Sequence, residues 1–220
     1  KHLLINLSVV LVACSGPKCT QPVLVDPPVV VEPQPIPPAD PVATRSAAIA
    51  EVARQKVEAE KDPLLAPWTG PYGGVPPWDK VKADLFPAAF QSGLALRAAE
   101  IEVIASDPAP PTFANTFVQL QDAGRHIDRA RTLFSVMTSS LNGPEVQAVD
   151  KEWAPKLTAA EDKITFHEKL FARISAVYAT REQSGLSAEQ RRLVERTYDR
   201  FVRVGAKLSE AQKQQLGKIN

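Results

Sequence analysis

The chain has 220 residues, and its 26 lysines and arginines almost balance its 25 aspartates and glutamates. A chain of this length can bury one substantial hydrophobic core. Its formal net charge of +1 provides no broad basic surface of the kind that binds nucleic acid or anionic lipid, so we expect no nucleic-acid partner.

The amino terminus has the pattern of an export signal. Lys1 and His2 precede an apolar run over residues 3–12, which is about half the length needed to cross a bilayer. The run ends in Leu11-Val12-Ala13-Cys14, a quartet that resembles the bacterial lipobox. This resemblance implies cleavage before Cys14, lipidation of Cys14, and a periplasm-facing lipoprotein anchored to a bacterial membrane through its acyl chains.

The residue after the cysteine is Ser15 rather than Asp, which by resemblance to lipoprotein sorting rules implies the outer membrane. Two alternatives stay open for Cys14. In the first, Cys14 is an incidental apolar residue near the end of a simple signal peptide. In the second, Cys14 forms a small disulfide loop with Cys19. Cys19 otherwise has no assigned role.

Proline usage divides the rest of the chain. Nine prolines lie between Pro17 and Pro41, where they prevent a helix because proline lacks an amide donor and restricts its preceding residue. We therefore predict three parts: a lipoprotein signal peptide over residues 1–13, a disordered Pro-rich tether over 14–42, and a helical region over 43–220.

The helical region begins with a run free of proline and glycine over residues 43–61, which predicts a helix. Residues 62–78 are rich in proline and glycine and predict an irregular segment. Its three large aromatic residues, Trp68, Tyr72 and Trp78, are expected to pack on the helical body or against polypeptide that follows this chain.

Further helices are predicted from apolar spacing and from start and stop signals. No segment of the body has the alternation of a strand, so the predicted fold is all-α with antiparallel neighbours. The predicted helices run from Pro87 to before Pro108, from Thr112 through Gly124 to Leu141, from Pro144 with a kink at Pro155, from a break near His167 to Ser184, from the capping box Ser187–Gln190 onward, and from Ser209.

Several segments taken together resemble the amino-terminal region of the thimet oligopeptidase family, and most closely its bacterial peptidyl-dipeptidase branch, the dipeptidyl carboxypeptidases. The resemblance covers residues 62–220 in order. The segments that carry it are Asp62-Pro63-Leu64-Leu65-Ala66-Pro67-Trp68-Thr69-Gly70-Pro71-Tyr72-Gly73-Gly74-Val75-Pro76-Pro77-Trp78-Asp79, Pro110-Pro111-Thr112-Phe113-Ala114-Asn115-Thr116, Glu152-Trp153-Ala154-Pro155-Lys156-Leu157, Leu170-Phe171-Ala172-Arg173-Ile174 and Phe201-Val202-Arg203-Val204-Gly205-Ala206-Lys207-Leu208.

The resemblance implies a large, almost wholly helical, neurolysin-like enzyme whose amino-terminal helices form one wall of a deep channel that admits short peptides. The branch removes dipeptides from free carboxyl ends, with zinc activating the attacking water and a glutamate as general base. We expect the full-length parent to be a zinc enzyme and a monomer. We expect this chain to be its amino-terminal portion, without the catalytic domain.

The zinc site of such an enzyme requires a His-Glu-x-x-His turn, which this sequence lacks. The nearest segment is His167-Glu168-Lys169-Leu170-Phe171, in which a phenylalanine replaces the second ligand. We interpret His167 as a surface or helix-terminal residue and His126 as solvated or facing a partner. No residue is predicted to be catalytic or to bind a metal, and the chain alone is expected to be inactive.

The arginines of residues 190–203 predict a solvated helix face with ion pairs. A function of another class remains open: a non-catalytic helical lipoprotein that binds peptides or a protein partner. A stable, monomeric and cooperatively folding chain of this length would favour that alternative, whereas exposed apolar surface would favour the peptidase portion.

Overall fold

The structure, a computed structural model, describes residues 41–216, with no account of the side chains of residues 41–44 and 210. The predictions for the signal peptide, Cys14 and most of the tether lie outside the described residues. The predicted all-α fold is confirmed, because helices joined by turns and loops make up the described part of the chain apart from an isolated bridge between Thr69 and Val75.

Helix boundaries follow the sequence signals closely, with the exceptions described below. The helices are α1 (Pro41–Ala59), α2 (Phe86–Ala105), a π-helical turn (Phe113–Val118) that runs into the short α3 (Gln119–Asp122), α4 (Arg125–Ser140), α5 (Pro144–Thr165), α6 (Glu168–Thr180), α7 (Ala188–Val204) and α8 (Glu210–Leu216). Short 3-10 turns at Trp78–Lys80 and Ala83–Leu85 lead into α2.

Helix α2 is the central element, because α1, α4, α5 and α6 all pack on it. Its amino-terminal half and its carboxyl-terminal half contribute to two different apolar clusters. The first cluster includes Phe86 and Phe90 of α2, Phe134 of α4 and Trp153 of α5, whose rings contact one another with centroids 4.8 to 5.6 Å apart. These contacts fix the relative positions of α2, α4 and α5.

The second cluster joins the carboxyl-terminal half of α2 to α6 and α7. Its buried side chains are Ile101, Ile104, Ala105, Phe117, Ala123, Leu170, Ile174, Val177, Val194, Phe201 and Ala206. Burial of large apolar side chains of this kind stabilises a fold by roughly 1.5–3 kcal/mol each. Helices α6 and α7 are consecutive in the chain and pack against each other. This packing agrees with the predicted antiparallel neighbours.

The prediction of one continuous helix from Thr112 to Leu141 is wrong. The chain leaves the helix at Ala123, and Gly124 adopts a left-handed conformation with φ +91° before α4 begins. The amide of Gly124 donates to the carboxylate of Glu100 on α2, with a donor–acceptor distance of 2.7 Å. A glycine reaches this conformation without steric cost, and the buried carboxylate satisfies its amide, so the helix divides at this residue.

Pro155 lies inside α5, where a kink was predicted, and the helix continues through it to Thr165. A proline has no amide hydrogen, so the hydrogen bond to the carbonyl four residues earlier is lost. The helix continues past this loss, and Trp153, two residues before the proline, is buried.

No helix within residues 41–216 is both long enough and apolar enough to cross a membrane.

Candidate functional site

His167 immediately precedes the first residue of α6. Its Nδ1 accepts a hydrogen bond from the amide of Leu170 at 3.2 Å, and its Nε2 lies 2.9 Å from the carboxylate of Glu102 on α2. A side chain that accepts an amide of the first helical turn is an N-cap. The interpretation of His167 as helix-terminal therefore agrees with the structure, and Phe171 stacks with Tyr198 and Phe201 of α7.

The interpretation of His126 as solvated or partner-facing is wrong. The side chain is buried near the start of α4, and its Nε2 lies 3.5 Å from the carboxylate of Glu60. Burial lowers the pKa of His126, the charge of Arg129 lowers it further, and Glu60 opposes both effects. His126 is the second residue of α4, which begins directly after Gly124, and its side chain is buried at this position.

Two buried carboxylates that the sequence analysis did not single out connect distant parts of the chain. Glu100 accepts the Gly124 amide and pairs with Lys56 of α1 at 2.9 Å. Asp107 pairs with Arg45 of α1 at 3.1 Å and lies 3.7 Å from Arg173 of α6. Both carboxylates are 6% exposed, so each requires its cationic partners to offset desolvation.

Arg173 also contacts the backbone around Asp107, the second of these two carboxylates. Its Nη1 donates to the carbonyls of Asp107 and Ala109 at 2.7 and 3.1 Å, which holds the turn after α2 against α6. A sequence signal for this role existed. Arg173 follows Leu170 by three residues and precedes Val177 by four, so a charged residue interrupts the apolar face of a helix.

The irregular segment presents an exposed aromatic residue at its tip. The amide of Val75 donates to the carbonyl of Thr69 at 2.9 Å and closes a loop in which Gly70, Tyr72, Gly73 and Gly74 have positive φ angles. Tyr72 is fully exposed and Trp78 is 44% exposed, whereas Trp68 packs against the first apolar cluster. These aromatics were expected to pack on the helical body or against polypeptide that follows this chain. Trp68 packs on the body and Tyr72 does not, so for Tyr72 the second possibility stays a prediction.

The arginines of α7 fall into two groups. Arg191 pairs with Glu182 at 3.1 Å and Arg192 lies 3.6 Å from Glu195, as the prediction of ion pairs requires. Arg196, Arg200 and Arg203 are exposed and have no ion pair or hydrogen bond with any residue that the structure describes. For these three residues the predicted ion pairs are absent from the described part of the chain.

The three arginines line one groove between α7 and α3. Its volume is about 550 Å³, and Gln121, Leu193, Thr197, Asp199 and Val204 complete its walls. A second groove, of about 500 Å³, lies between α2 and α5 and is lined by alanines of both helices and by His167.

Within residues 41–216, no group of three or more histidines, cysteines, aspartates or glutamates is arranged to hold a metal ion. His167 faces a single carboxylate and His126 approaches another, and zinc in a catalytic site takes three protein ligands. The residues described here therefore do not fit a zinc site. Cys14, the predicted lipidation site, lies outside the described residues.

The fold and these surfaces define an all-α body held by two apolar clusters and by buried ion pairs between helices. No family model matches the chain. Among curated proteins, the chain is 36% identical to the dipeptidyl carboxypeptidase of Escherichia coli (strain K12) and 35% identical to that of Salmonella typhimurium (strain LT2), in each case over 159 residues.

The aligned residues make up 72% of this chain and 23% of each relative, so the chain spans about a quarter of the length of the curated relatives that it matches. Over most of its length, the chain is thus similar to the bacterial dipeptidyl carboxypeptidases. The resemblance stated from the ordered sequence segments is confirmed by these matches.

Proposed function

We propose that this chain is part of a zinc-dependent peptidyl-dipeptidase that removes dipeptides from the carboxyl ends of short peptides. The observation that carries the proposal is the similarity to two proteins named dipeptidyl carboxypeptidase over 72% of the chain. In the proposal, the helices of residues 43–220 form one wall of the substrate channel of the full-length parent.

Zinc chemistry is assigned to a part of the parent outside this sequence. The sequence contains no His-Glu-x-x-His turn, and residues 41–216 do not fit a zinc site. The contribution of this chain is therefore proposed to be structural. Its helices are fixed to one another by buried contacts and ion pairs, which would let them hold a channel wall in place.

Tyr72 supports a contact with the remainder of the parent. Tyr72 is fully exposed and has a left-handed backbone conformation, so burial of its side chain does not offset the cost of that conformation. Strained residues are retained where surrounding structure or function requires them. We infer that the Thr69–Val75 loop packs against polypeptide of the parent that this chain does not include.

The proposed activity is tested with the full-length parent and two matched peptides that differ only in a free or an amidated carboxyl end. Mass spectrometry is expected to show release of a dipeptide from the free end only, with loss of activity on chelation and recovery on addition of zinc. The 220-residue chain by itself is expected to cleave neither peptide. Release of amino-terminal or single residues, or cleavage of both peptides at equal rates, would contradict the proposal.

We also propose that Cys14 carries a lipid and anchors the protein to a bacterial membrane, facing the periplasm and most consistently with the outer membrane. The lipobox-like quartet before Ser15 supports this localisation. A Cys14→Ala variant is expected to move from the membrane fraction to the soluble periplasmic fraction, whereas a Cys19→Ala variant is expected to remain with the membrane. Unchanged fractionation of Cys14→Ala would refute the anchor and leave the peptidase proposal untouched.

A further inference from the structure

The unpaired arginines of α7 form a single row. Arg196, Arg200 and Arg203 are separated by four and then three residues, a spacing that places side chains on one face of a helix. At a rise of about 1.5 Å per residue, the row extends over roughly 10 Å. All three side chains line the groove between α3 and α7.

The row carries an uncompensated charge. Asp199 also lines the groove, so three guanidinium groups and one carboxylate leave a local charge of +2. Like charges one helical turn apart destabilise a helix by a few tenths of a kcal/mol. Two other arginines of this helix do have carboxylate partners: Arg191 pairs with Glu182 in the turn before α7, and Arg192 lies near Glu195 of α7 itself. The row in the groove is without such partners among the described residues.

The shape of the groove restricts the ligand that would complement this charge. Three cations spread over roughly 10 Å exceed the reach of one phosphate group, whereas carboxylates four residues apart on a helix, or two apart on an extended chain, are separated by about 6 to 7 Å. Guanidinium groups bind carboxylates through two parallel hydrogen bonds. Leu193 and the exposed Val204 add apolar surface to the same groove.

A nucleic acid fits the groove less well. No aromatic residue of the described part of the chain lines the groove, and Phe201, next to Arg200, is 3% exposed with the guanidinium of Arg200 6.0 Å from its ring centre, so the groove presents no ring for a base to stack on. The net charge of the whole chain is +1, and Asp199 would repel a continuous phosphate backbone at the centre of the row.

We propose that the groove lined by Arg196, Arg200 and Arg203 is a docking site for an acidic segment of a separate polypeptide. Carboxylates of that segment, at a separation of one helical turn, pair with the three guanidinium groups, and apolar residues on either side of these carboxylates contact Leu193 at one end of the row and Val204 at the other. This binding needs no peptidase activity and no zinc, so it stands or falls independently of the proposed function.

The test is fluorescence anisotropy of a labelled synthetic peptide that carries three glutamates at positions i, i+4 and i+7, titrated with the 220-residue chain. A matched peptide has glutamines at the same positions. The triple variant Arg196→Gln/Arg200→Gln/Arg203→Gln is expected to weaken binding of the glutamate peptide about tenfold or more, because close charge pairs dominate such an interface. The matched double variant Arg191→Gln/Arg192→Gln, on the same helix, is expected to change binding less than about twofold.

All five arginines are at or near the surface, and circular dichroism melting curves are expected to be alike for the variants. If the triple variant fails to fold, the single variants Arg196→Gln and Arg203→Gln provide the same comparison at the two ends of the row, each with a partial loss. Equal weakening by both sets of variants, equal binding of the glutamine peptide, or tighter binding of a single-stranded oligonucleotide would overturn the proposal. So would sedimentation showing that the arginine row mediates only self-association of the chain.

Discussion

Tyr72 combines full exposure with a backbone φ of +59°, a conformation that costs an ordinary L-residue roughly 1–2 kcal/mol and that asparagine adopts more readily. The flanking glycines share positive φ angles. A Cβ atom on Gly74 would lie 2.6 Å from the carbonyl oxygen of Trp68, so the loop requires a glycine at that position. The side chain of Tyr72, by contrast, does nothing to hold the loop.

We therefore predict that Tyr72→Asn leaves the free energy of unfolding of the 220-residue chain unchanged or raises it by about 0.5 kcal/mol. Urea denaturation measures the change. Tyr178→Asn is the matched control, because Tyr178 stacks on Tyr198 with ring centroids 3.9 Å apart, and it is expected to lose more than about 1 kcal/mol. In the full-length parent, Tyr72→Asn is expected to lower the free energy of unfolding, because the proposed contact of this loop is lost. A change that is seen only in the isolated chain and not in the parent would contradict that contact.

His126 gives the fold a dependence on acid. Its pKa in the folded chain is lowered, first by burial and then by Arg129, from the value of about 6.5 in an unfolded chain. Between these two pKa values the unfolded chain binds more protons than the folded chain. Above about pH 6.5 His126 is neutral in both states, so the free energy of unfolding is not reduced by this residue. The free energy of unfolding falls as the pH decreases through this window.

We predict that His126→Gln reduces this acid-induced loss. Urea denaturation from about pH 7.5 to 5 is expected to show a shallower decrease in the free energy of unfolding for His126→Gln than for the unmodified chain. His167→Gln, a substitution of a histidine at the start of α6, is expected to retain the His126-dependent part of the decrease. Identical pH profiles for the unmodified chain and His126→Gln would show that His126 does not contribute to the acid sensitivity.

At the scale of single elements, α7 shows how local signals set a helix. The hydroxyl of Ser187 accepts a hydrogen bond from the amide of Gln190 at 3.2 Å, and the side chain of Gln190 accepts one from the amide of Ser187 at 3.0 Å. Gly205 ends the helix in a left-handed conformation with φ +108°, a common helix stop. Both ends are thus encoded by residues next to the helix.

Ser187→Ala is expected to lower the free energy of unfolding by about 1 kcal/mol, because one amide of the first turn loses its partner. Thermal or urea denaturation measures the loss. The control is Thr158→Ala in the exposed interior of α5, where alanine is the better helix former and no loss is expected. A Ser187→Ala variant as stable as the unmodified chain would indicate that water replaces the cap at no cost.

At the scale of the whole molecule, the position of α2 against α4 depends on a glycine. Gly93 is buried, and a Cβ atom at this residue would lie 3.0 Å from Cβ and 3.1 Å from Cα of Ile127. The two helices can approach this closely only because residue 93 has no side chain. The first apolar cluster, which includes Phe90 and Ile127, is built around this crossing.

We predict that Gly93→Ala lowers the free energy of unfolding by about 1–3 kcal/mol, because overpacking outweighs the gain in helix propensity. The neighbouring Ser92→Ala, at an exposed position of the same helix, is the matched control and is expected to be neutral or slightly stabilising. Urea denaturation of both variants distinguishes the two effects. A stabilised Gly93→Ala variant would show that α4 shifts away without loss.

The sequence by itself determined the features that neighbouring residues encode. Apolar spacing, Pro87, Pro144 and the capping box at Ser187 were sufficient to place most helices, and the ordered segments were sufficient to recognise the relatives. These signals act within a few residues, where the backbone must satisfy its own hydrogen bonds. The helix-terminal position of His167 could be predicted for the same reason.

The tertiary structure alone decided what depends on residues far apart in the chain. Gly124 ends a helix because Glu100, 24 residues earlier, accepts its amide. His126, two residues after that break, is buried and lies 3.5 Å from the carboxylate of Glu60, which is 66 residues earlier in the chain. The arginines of α7 looked alike in sequence, and only the folded chain separates Arg191 and Arg192, which have carboxylate partners, from the three that line a groove without them. Burial and charge pairing are properties of the packed molecule, because they depend on which side chains the fold brings within a few ångströms.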